Sequence, residues 1–227
     1  MQNIEKNLSQ VRQLIRQSEI AYNRTPGSVL LLAVSKKKPA SDIRAAWQLG
    51  QKDFGENYLQ EAQQKIQALQ DLDIKWHFIG AIQSNKTRNI AEVFDWVHCV
   101  DRLKIARRLS EQRPPSMDAL NICIQVNLDA ESSKAGISLD EVPDLAGEIH
   151  GLPNIRLRGL MTIPAPRTEF ETQRSIFTQL TGALETLQRK GIACDTLSMG
   201  MTQDLSAAIA AGSTLVRIGT AIFGERS

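Results

Sequence analysis

Lys36 is the residue whose type and position most directly suggest chemistry in this sequence. It lies in residues 29–38, VLLLAVSKKK, an apolar run of strand length that ends in lysine. Because alternate side chains of a strand share a face, one face would carry Leu30, Leu32, Val34 and Lys36. The amine would continue a core-facing row where the strand ends, and partial removal from water favours its attack on a carbonyl group. The alternative is a solvated basic loop of Lys36, Lys37 and Lys38, because lysines are mostly exposed.

Other polar side chains follow the carboxyl ends of predicted strands, where the reactive groups of parallel barrels collect. These positions are Asn57, His77, Asn127, Met161, the segment 198–202 (SMGMT) and the segment 217–220 (RIGT). Glycine lets the backbone approach a ligand, hydroxyl groups donate to phosphate oxygens, and a helix starting at Thr202 would present free N–H groups. The last two segments therefore predict a phosphate cradle. The alternative is that Gly200 and Gly219 only permit turns and that Thr202 is only a helix cap.

The elements that must position these residues alternate between strand and helix along the whole chain. Apolar residues at helical spacing predict a first helix within residues 1–24, ended by Thr25, Pro26 and Gly27. The predicted strands lie within 29–38 and at 53–54, 74–79, 96–100, 121–127, 156–163, 196–199 and 214–218. The predicted helices lie at 40–49, from the 55–62 segment to 69, at 87–93, from a cap at Asp101 to Pro114, and at 139–150, 169–189 and 202–211.

A strand followed by a helix, eight times over, predicts an α/β chain folded as a (β/α)8 barrel. The extra N-terminal helix is expected to pack over this barrel. The alternative is an open doubly wound sheet, but no G-x-G-x-x-G turn follows the first strand. No proline- or serine-rich linker divides the chain, so we expect one domain over residues 1–227.

Composition narrows the classes of function. Lys and Arg number 27 against 25 Asp and Glu, a net charge of +2, which favours neither nucleic acid nor an anionic membrane as a partner. No signal region or membrane-spanning run is found, so a cytoplasmic protein is expected. Cys99, Cys123 and Cys194 are far apart and adjoin apolar segments, which is typical of reduced structural cysteines and indicates no metal site.

Six ordered motifs resemble one known family, the pyridoxal phosphate homeostasis proteins, whose fold is related to the N-terminal barrel of alanine racemase. The motifs are VSKKKP around Lys36, GENYLQE from Gly55, HFIGAIQSNK from His77, GLMTIPAP from Gly159, LSMGMTQDL from Leu197 and VRIGTAIFG from Val216. The resemblance covers nearly the whole chain and implies fold type III of the pyridoxal phosphate-binding proteins. In this family, threonine is frequent where the chain has Lys37.

The resemblance also implies roles for individual residues. Lys36 matches the lysine that holds pyridoxal 5'-phosphate as a Schiff base, and Arg217 matches the arginine that faces the pyridine nitrogen. The phosphate positions are Ser198, Gly219 and Thr220, with additional contacts expected from Gly200, Met201 and Thr202. Asn57 and His77 match residues that line the cofactor face of the barrel. The loop at 131–136 is expected to cover the site, whereas Lys37 and Lys38 are expected to face solvent and His98 and His150 to be isolated structural residues.

Function remains a choice between a binding protein and an enzyme. A racemase needs a base on each face of the cofactor ring, and the sequence offers only Lys36 on one face. Alanine racemase takes its second base from an added C-terminal domain, and this chain ends just after the eighth strand. We therefore expect a monomeric carrier or buffer of pyridoxal phosphate that transiently contacts enzymes requiring the cofactor. The alternatives are a pyridoxal phosphate-dependent amino-acid racemase and a cofactor-free lysine Schiff-base aldolase.

Overall fold

The computed structural model describes residues 3–129 and 135–225, so most of the predicted covering loop at 131–136 lies outside the described residues. Eight parallel strands pair in sequence order, and β8 closes the sheet on β1, which confirms the predicted barrel. The strands are β1 (Leu30–Val34), β2 (Asp53–Glu56), β3 (Lys75–Phe78), β4 (Trp96–Val100), β5 (Leu120–Val126), β6 (Ile155–Thr162), β7 (Thr196–Ser198) and β8 (Leu215–Ile218).

The helices form a ring outside the strands. They are α1 (Ile4–Ala21), α2 (Ala40–Gln48), α3 (Leu59–Ala68), α4 (Thr87–Val93), α5 (Leu103–Gln112), α6 (Val142–His150), α7 (Phe170–Arg189), α8 (Leu205–Ala210) and α9 (Thr220–Phe223). The N-terminal helix α1 contacts α2, α8 and α9 and buries Leu8, Val11 and Ile15. It thus fills the outer ring beside α9, which is only four residues long. None of the helices in the described ranges is long and apolar enough to cross a membrane.

Two predicted helix starts are wrong. Residues 202–204 form a turn in which the Asp204 carboxylate accepts from the Met201 N–H at 2.5 Å, and α8 begins only at Leu205. Thr202 is therefore not a helix cap. Asp101 does not cap α5 either, because its carboxylate pairs with Arg102 at 2.8 Å.

The strand that leads to Lys36 separates two environments. Leu31 and Ala33 belong to the hydrophobic core between strands and helices. Leu32 is on the other face, where Gly55 leaves space for its side chain, because an added Cβ at Gly55 would lie 3.3 Å from the leucine. Lys36 continues this inner face beyond the end of β1 and is half-buried. The alternation predicted from the sequence therefore directs Lys36 toward the interior of the barrel at its open end.

A buried ion-pair cluster fixes the backbone on both sides of Lys36. The Lys65 ammonium contacts carboxylate oxygens of Glu56 at 2.7 Å and Glu61 at 2.6 Å, and it donates to the Ser35 carbonyl at 2.8 Å. The Ser35 hydroxyl donates to Glu56 at 2.6 Å. Burial raises the pKa of Glu56, and the Lys65 charge opposes that rise. Because Glu56 is fully buried, its carboxylate depends on Lys65 for compensation of charge.

The residue after Lys36 is held in a conformation that lysine rarely adopts. Lys37 has a φ of 60°, and its N–H donates to the Glu61 carboxylate at 2.5 Å. Left-handed backbone at a residue other than glycine costs about 1–2 kcal/mol, so the Glu61 contact stabilises a strained turn. Lys37 is exposed as predicted, but the prediction for Lys38 is wrong. Lys38 is buried because its ammonium reaches the Glu225 carbonyl at 2.7 Å.

We expect Lys65→Met to lower the free energy of unfolding by about 3–5 kcal/mol at neutral pH, because it leaves a buried carboxylate unpaired. The loss should shrink as the pH falls, since a protonated Glu56 needs no counter-ion. Urea denaturation at several pH values measures both effects. The matched control is Arg44→Met, which removes an exposed pair with Asp71 and should change stability little. Equal losses for the two variants would contradict a structural role for the cluster.

The three cysteines are free and buried, as the sequence predicts. Burial raises the pKa of all three thiols, that of Cys194 to about 11. At neutral pH this lowers the thiolate fraction of Cys194 by about 100-fold relative to an ordinary cysteine. We therefore expect a thiol-specific disulfide reagent to leave the native protein unmodified and to label three thiols in denaturant. Labelling of native protein within minutes would contradict this prediction.

Candidate functional site

A cavity of about 210 Å³ lies at the carboxyl ends of the strands. Seven of the ten residues predicted to bind the cofactor line it, namely Lys36, Asn57, Met201, Thr202, Arg217, Gly219 and Thr220. Its apolar wall is formed by Val34, Ile79, Met161 and Ile163. Six different strands or their following loops thus contribute to one mouth, which is where a parallel barrel positions reactive groups.

Lys36 and Arg217 enter the mouth from neighbouring strands at the seam of the barrel. Strand β1 pairs with β8 with Leu32 opposite Arg217, and Lys36 follows on the same face of β1. The cavity therefore joins an amine, which can bond covalently to a carbonyl carbon, to a planar guanidinium. Two cationic side chains at one mouth favour an anionic ligand.

Arg217 is almost completely buried and is held by three acceptors. One terminal nitrogen donates to the Ser198 carbonyl at 2.5 Å and to the Ser198 hydroxyl at 2.8 Å, and the other donates to the Thr162 carbonyl at 2.8 Å. Burial lowers the pKa of Arg217 to about 10, and the Asp204 carboxylate opposes the decrease. At neutral pH the guanidinium therefore remains charged and keeps a fixed orientation.

Two threonines line both the mouth and a second cavity next to it. This second cavity has a volume of about 440 Å³ and shares Met201, Thr202 and Thr220 with the mouth. Arg167 lines it from the loop after β6, with one terminal nitrogen donating to the Ala165 carbonyl at 2.9 Å. Two threonines and the backbone at Gly219 thus form a polar corner suited to a phosphate group, although no helix starts at Thr202.

Small residues and an unsatisfied amide adapt the mouth to a ligand. A Cβ at Gly219 would lie 3.1 Å from the Val34 carbonyl oxygen, so a larger residue would push β8 away from β1 at the mouth. The Asn57 side-chain oxygen is buried and has no hydrogen-bond partner among the described residues. An unsatisfied buried acceptor at a cavity is costly unless a ligand or water donates to it.

The remaining three predicted cofactor residues lie elsewhere. Gly200 is buried behind the mouth with a φ of 101°, and a Cβ there would lie 2.6 Å from that of Ala208. Ser198 pairs in register with Leu215, two residues before Arg217. His77 pairs with Gly55, two residues before Asn57. Ser198 and His77 therefore occupy a buried layer of the barrel interior below the mouth, and their predicted roles at the cofactor stay predictions.

His98 was predicted to be isolated, and this prediction is wrong. Its ring nitrogens lie 2.9 Å from His77 Nδ1 and 2.8 Å from the Ser198 hydroxyl. The other nitrogen of His77 lies 3.1 Å from the Asp53 carboxylate. Burial lowers the pKa of His98, and the neighbouring His77 and Arg217 act in the same direction. His150, by contrast, is exposed at the end of α6.

Sequence reasoning missed Glu56, Glu61, Lys65, Asp53 and His98 as residues that support the site. A signal was available for two of them. Glu56 lies between the inward-facing Gly55 and Asn57, so alternation predicts an outward carboxylate buried under a helix. His98 is the third residue of a strand, which places it in the middle of the barrel. Nothing in the sequence alone indicates that it meets His77 and Ser198.

Comparisons with known proteins agree with this geometry. The family model described as "Alanine racemase, N-terminal domain" matches residues 1–227. The pyridoxal phosphate homeostasis protein of Pseudomonas aeruginosa is 54% identical over 226 residues, which cover 100% of this chain and 97% of that protein. The Escherichia coli protein of the same name is 51% identical over 229 residues, which cover 100% of this chain and 98% of that protein.

Solved structures show the same fold. PipY of Synechococcus elongatus, solved with PLP bound, is 35% identical, with a TM-score of 0.85 and coverage of 98% of this chain and 100% of that one. Alanine racemase from Corynebacterium glutamicum shares the fold at 16% identity and a TM-score of 0.71, with coverage of 98% of this chain and 60% of that one. The chain therefore belongs to the alanine racemase N-terminal domain family and, within it, to the pyridoxal phosphate homeostasis proteins.

Proposed function

We propose that this protein binds pyridoxal 5'-phosphate at the barrel mouth, as a Schiff base on Lys36, and acts as an intracellular carrier or buffer of the cofactor. In this role it influences amino-acid and keto-acid balance. The observation that carries the proposal is the convergence of Lys36, Arg217 and the threonine corner on one cavity. PipY, which is 35% identical, has been solved with PLP bound, and this supports the assignment.

The residues of the mouth fit the chemical groups of this cofactor. The Lys36 amine would bond to the aldehyde carbon, and Thr202, Thr220 and the backbone at Gly219 would hold the phosphate. Met201 would cover the cofactor ring at the rim of the mouth. Gly200 would let the turn at 201–204 approach the cofactor closely. Asn57, whose side-chain oxygen lacks a partner among the described residues, would accept a hydrogen bond from the ligand or from its water. Ser198 and His77 would act from the layer below.

Arg217 favours storage of the cofactor over catalysis. Pyridoxal phosphate supplies an aldehyde and a pyridine ring that withdraws electrons best when its nitrogen is protonated. A charged guanidinium facing that nitrogen disfavours a second positive charge there. The three acceptors that hold Arg217 keep it from moving away. The site would therefore bind the aldehyde firmly while supporting little carbanion chemistry.

The tyrosines give little support to a racemase. The sequence contains two, and the hydroxyl of Tyr22 lies 3.1 Å from Ser206 on the outside of the barrel. Tyr58 precedes α3, is half exposed, and lines an outer cavity beside Asn57 and not the mouth itself. Within residues 3–129 and 135–225, neither tyrosine is positioned in the mouth as a second base opposite Lys36.

The functional unit we propose is the single barrel of residues 1–227, acting as a cytoplasmic monomer. Its partners would be pyridoxal phosphate and, transiently, the enzymes that require it. Nucleic acid and membranes are not proposed as partners, since the net charge is only +2 and the described helices include no membrane-spanning segment. Ile163 and Met201 expose apolar surface at the rim of the mouth, where a recipient enzyme would dock during transfer.

Borohydride reduction followed by peptide mass mapping tests the proposal. We expect a phosphopyridoxyl group on the Lys36 peptide of protein incubated with pyridoxal phosphate, because reduction makes the lysine bond permanent. Lys36→Ala should lose the label. The matched control is Lys37→Asn, since Lys37 is exposed and asparagine tolerates its left-handed backbone. An unlabelled Lys36 peptide in the wild type would refute the assignment.

Activity and trapping assays on the same protein distinguish the carrier function from the two enzyme alternatives. We expect no conversion of L-alanine to D-alanine above the rate of free pyridoxal phosphate. Racemisation at an enzyme-like rate that disappears in Lys36→Ala would establish a racemase. A borohydride-trapped adduct with a keto acid or sugar phosphate, formed in preference to pyridoxal phosphate, would instead establish a lysine aldolase.

A further inference from the structure

Five polar side chains form a continuous hydrogen-bonded chain through the interior of the barrel. From the mouth downward the chain runs through Arg217, Ser198, His98, His77 and Asp53, with successive separations of 2.8, 2.8, 2.9 and 3.1 Å. It crosses from β8 to β7, β4, β3 and β2. Most barrel interiors of this kind are filled by branched apolar side chains, so a polar layer here is costly and needs an explanation.

The two ends of the chain lie in different surroundings. Ser198, His98 and His77 are completely buried, and Arg217 is 4% exposed beneath the mouth. The Asp53 side chain is 19% exposed and lines a separate cavity at the amino ends of the strands. The chain therefore connects the cofactor end of the barrel with its opposite face.

When both histidine rings are neutral, the chemistry of the two ends fixes the direction of every hydrogen bond between them. Arginine can only donate and an aspartate carboxylate can only accept. Ser198 accepts from Arg217, so its own hydrogen is available for His98 Nδ1. Neutral His98 then carries its proton on Nε2 and donates to His77 Nδ1, and His77 in turn donates from Nε2 to Asp53. If both neutral rings were reversed, a lone pair of His77 would face the Asp53 carboxylate.

We propose that His98 and His77 are positioning residues for Arg217, acting through a one-directional hydrogen-bond chain that ends at Asp53. Because Ser198 donates to His98, its oxygen lone pairs are held toward the guanidinium. Stacking of His77 on Trp96, with ring centroids 5.4 Å apart and planes 6° apart, fixes the lower ring. The effect of this chain on the cofactor rests on the proposed function, in which Arg217 faces the pyridine ring. The existence of the hydrogen-bonded chain itself does not depend on the proposed function.

The first test uses the cofactor-free protein and the nitrogen-15 NMR signals of its imidazole rings. Only three histidines are present, and His150→Gln identifies the exposed one. We expect the neutral rings of His77 and His98 both to carry the proton on Nε2. A proton on Nδ1 of either ring would overturn the proposal. Since no cofactor is involved, this result stands even if the proposed function fails.

The second test measures how the chain acts on bound pyridoxal phosphate. We expect His98→Leu to weaken cofactor binding about threefold to tenfold, the loss typical of one hydrogen bond. It should also shift the pH midpoint of the Schiff-base absorbance in the same direction as Arg217→Lys does. His98→Asn should restore part of both effects, because its amide oxygen can still accept from Ser198. His150→Gln is the matched control and should change neither.

A merely structural role predicts a different pattern. His98→Leu and His98→Asn would then lower the melting temperature alike and leave the absorbance midpoint unchanged, which would overturn the proposal. Asp53→Asn and Asp53→Leu extend the comparison to the far end, since only the asparagine retains an acceptor for His77. Combining His98→Leu with Ser198→Ala should give a shift smaller than the sum of the single shifts, because both changes break one chain.

Acid unfolding provides a further prediction. The titratable groups around His98 are His77 on β3 and Arg217 on β8, with Cys123 on β5 near Arg217 and Arg158 of β6 over Trp96. The folded pKa of His98 is lowered, so below about pH 6.5 the unfolded chain binds a proton that the folded chain excludes. The unfolding equilibrium constant should therefore rise up to tenfold per pH unit as the pH falls. His98→Asn should lose this contribution and His150→Gln should keep it, whereas equal slopes in both would contradict the assignment.

Discussion

The rest of the site depends on a guanidinium buried inside a closed barrel. Arg217 is 4% exposed, yet its charge persists at neutral pH because its pKa falls only to about 10. A buried cation must be satisfied by fixed acceptors or by an opposite charge. Two carbonyls and the Ser198 hydroxyl supply the acceptors, and Asp204 on the 201–204 turn supplies the charge. The positions of β6, β7 and that turn are therefore tied to one side chain.

Lys36 is held in a different way, from outside the barrel. Its neighbours Ser35 and Lys37 are bound by Glu56, Glu61 and Lys65, which lie between the strands and α3. Strand alternation makes this possible, because residues on either side of an inward side chain point outward. The Lys36 side chain thus lines the mouth, while the Glu61 contact compensates the strain of the Lys37 backbone on the opposite face of the sheet. The two cationic groups of the site have separate supports that share no residue.

The sequence was sufficient to predict the barrel and most of the mouth. Most strands are marked by apolar side chains, although β2 has only Phe54, and the mouth residues lie at the carboxyl ends of the strands, so the closure of the sheet brings Lys36 and Arg217 together. The sequence was insufficient to predict how far below the mouth each inward side chain lies. Ser198 and His77 do not line the mouth, because the register of the strands sets each of them one inner layer lower, and their roles at the cofactor stay predictions. Depth depends on register across eight strands, and one strand's sequence does not encode it.

The helix signal at Thr202 was misleading for a separate, local reason. A threonine that precedes a predicted helix is a common helix cap, but here the Asp204 carboxylate accepts from the Met201 N–H and forms a turn ahead of α8. Thr202 is thereby left at the junction of the two cavities, where its hydroxyl can serve a ligand. Burial raises the pKa of Asp204, and Arg217 opposes that rise, so one carboxylate both shapes the phosphate corner and balances the buried guanidinium. A change in how Arg217 is held would therefore be transmitted to the phosphate corner through Asp204, which links the ring end and the phosphate end of the proposed site.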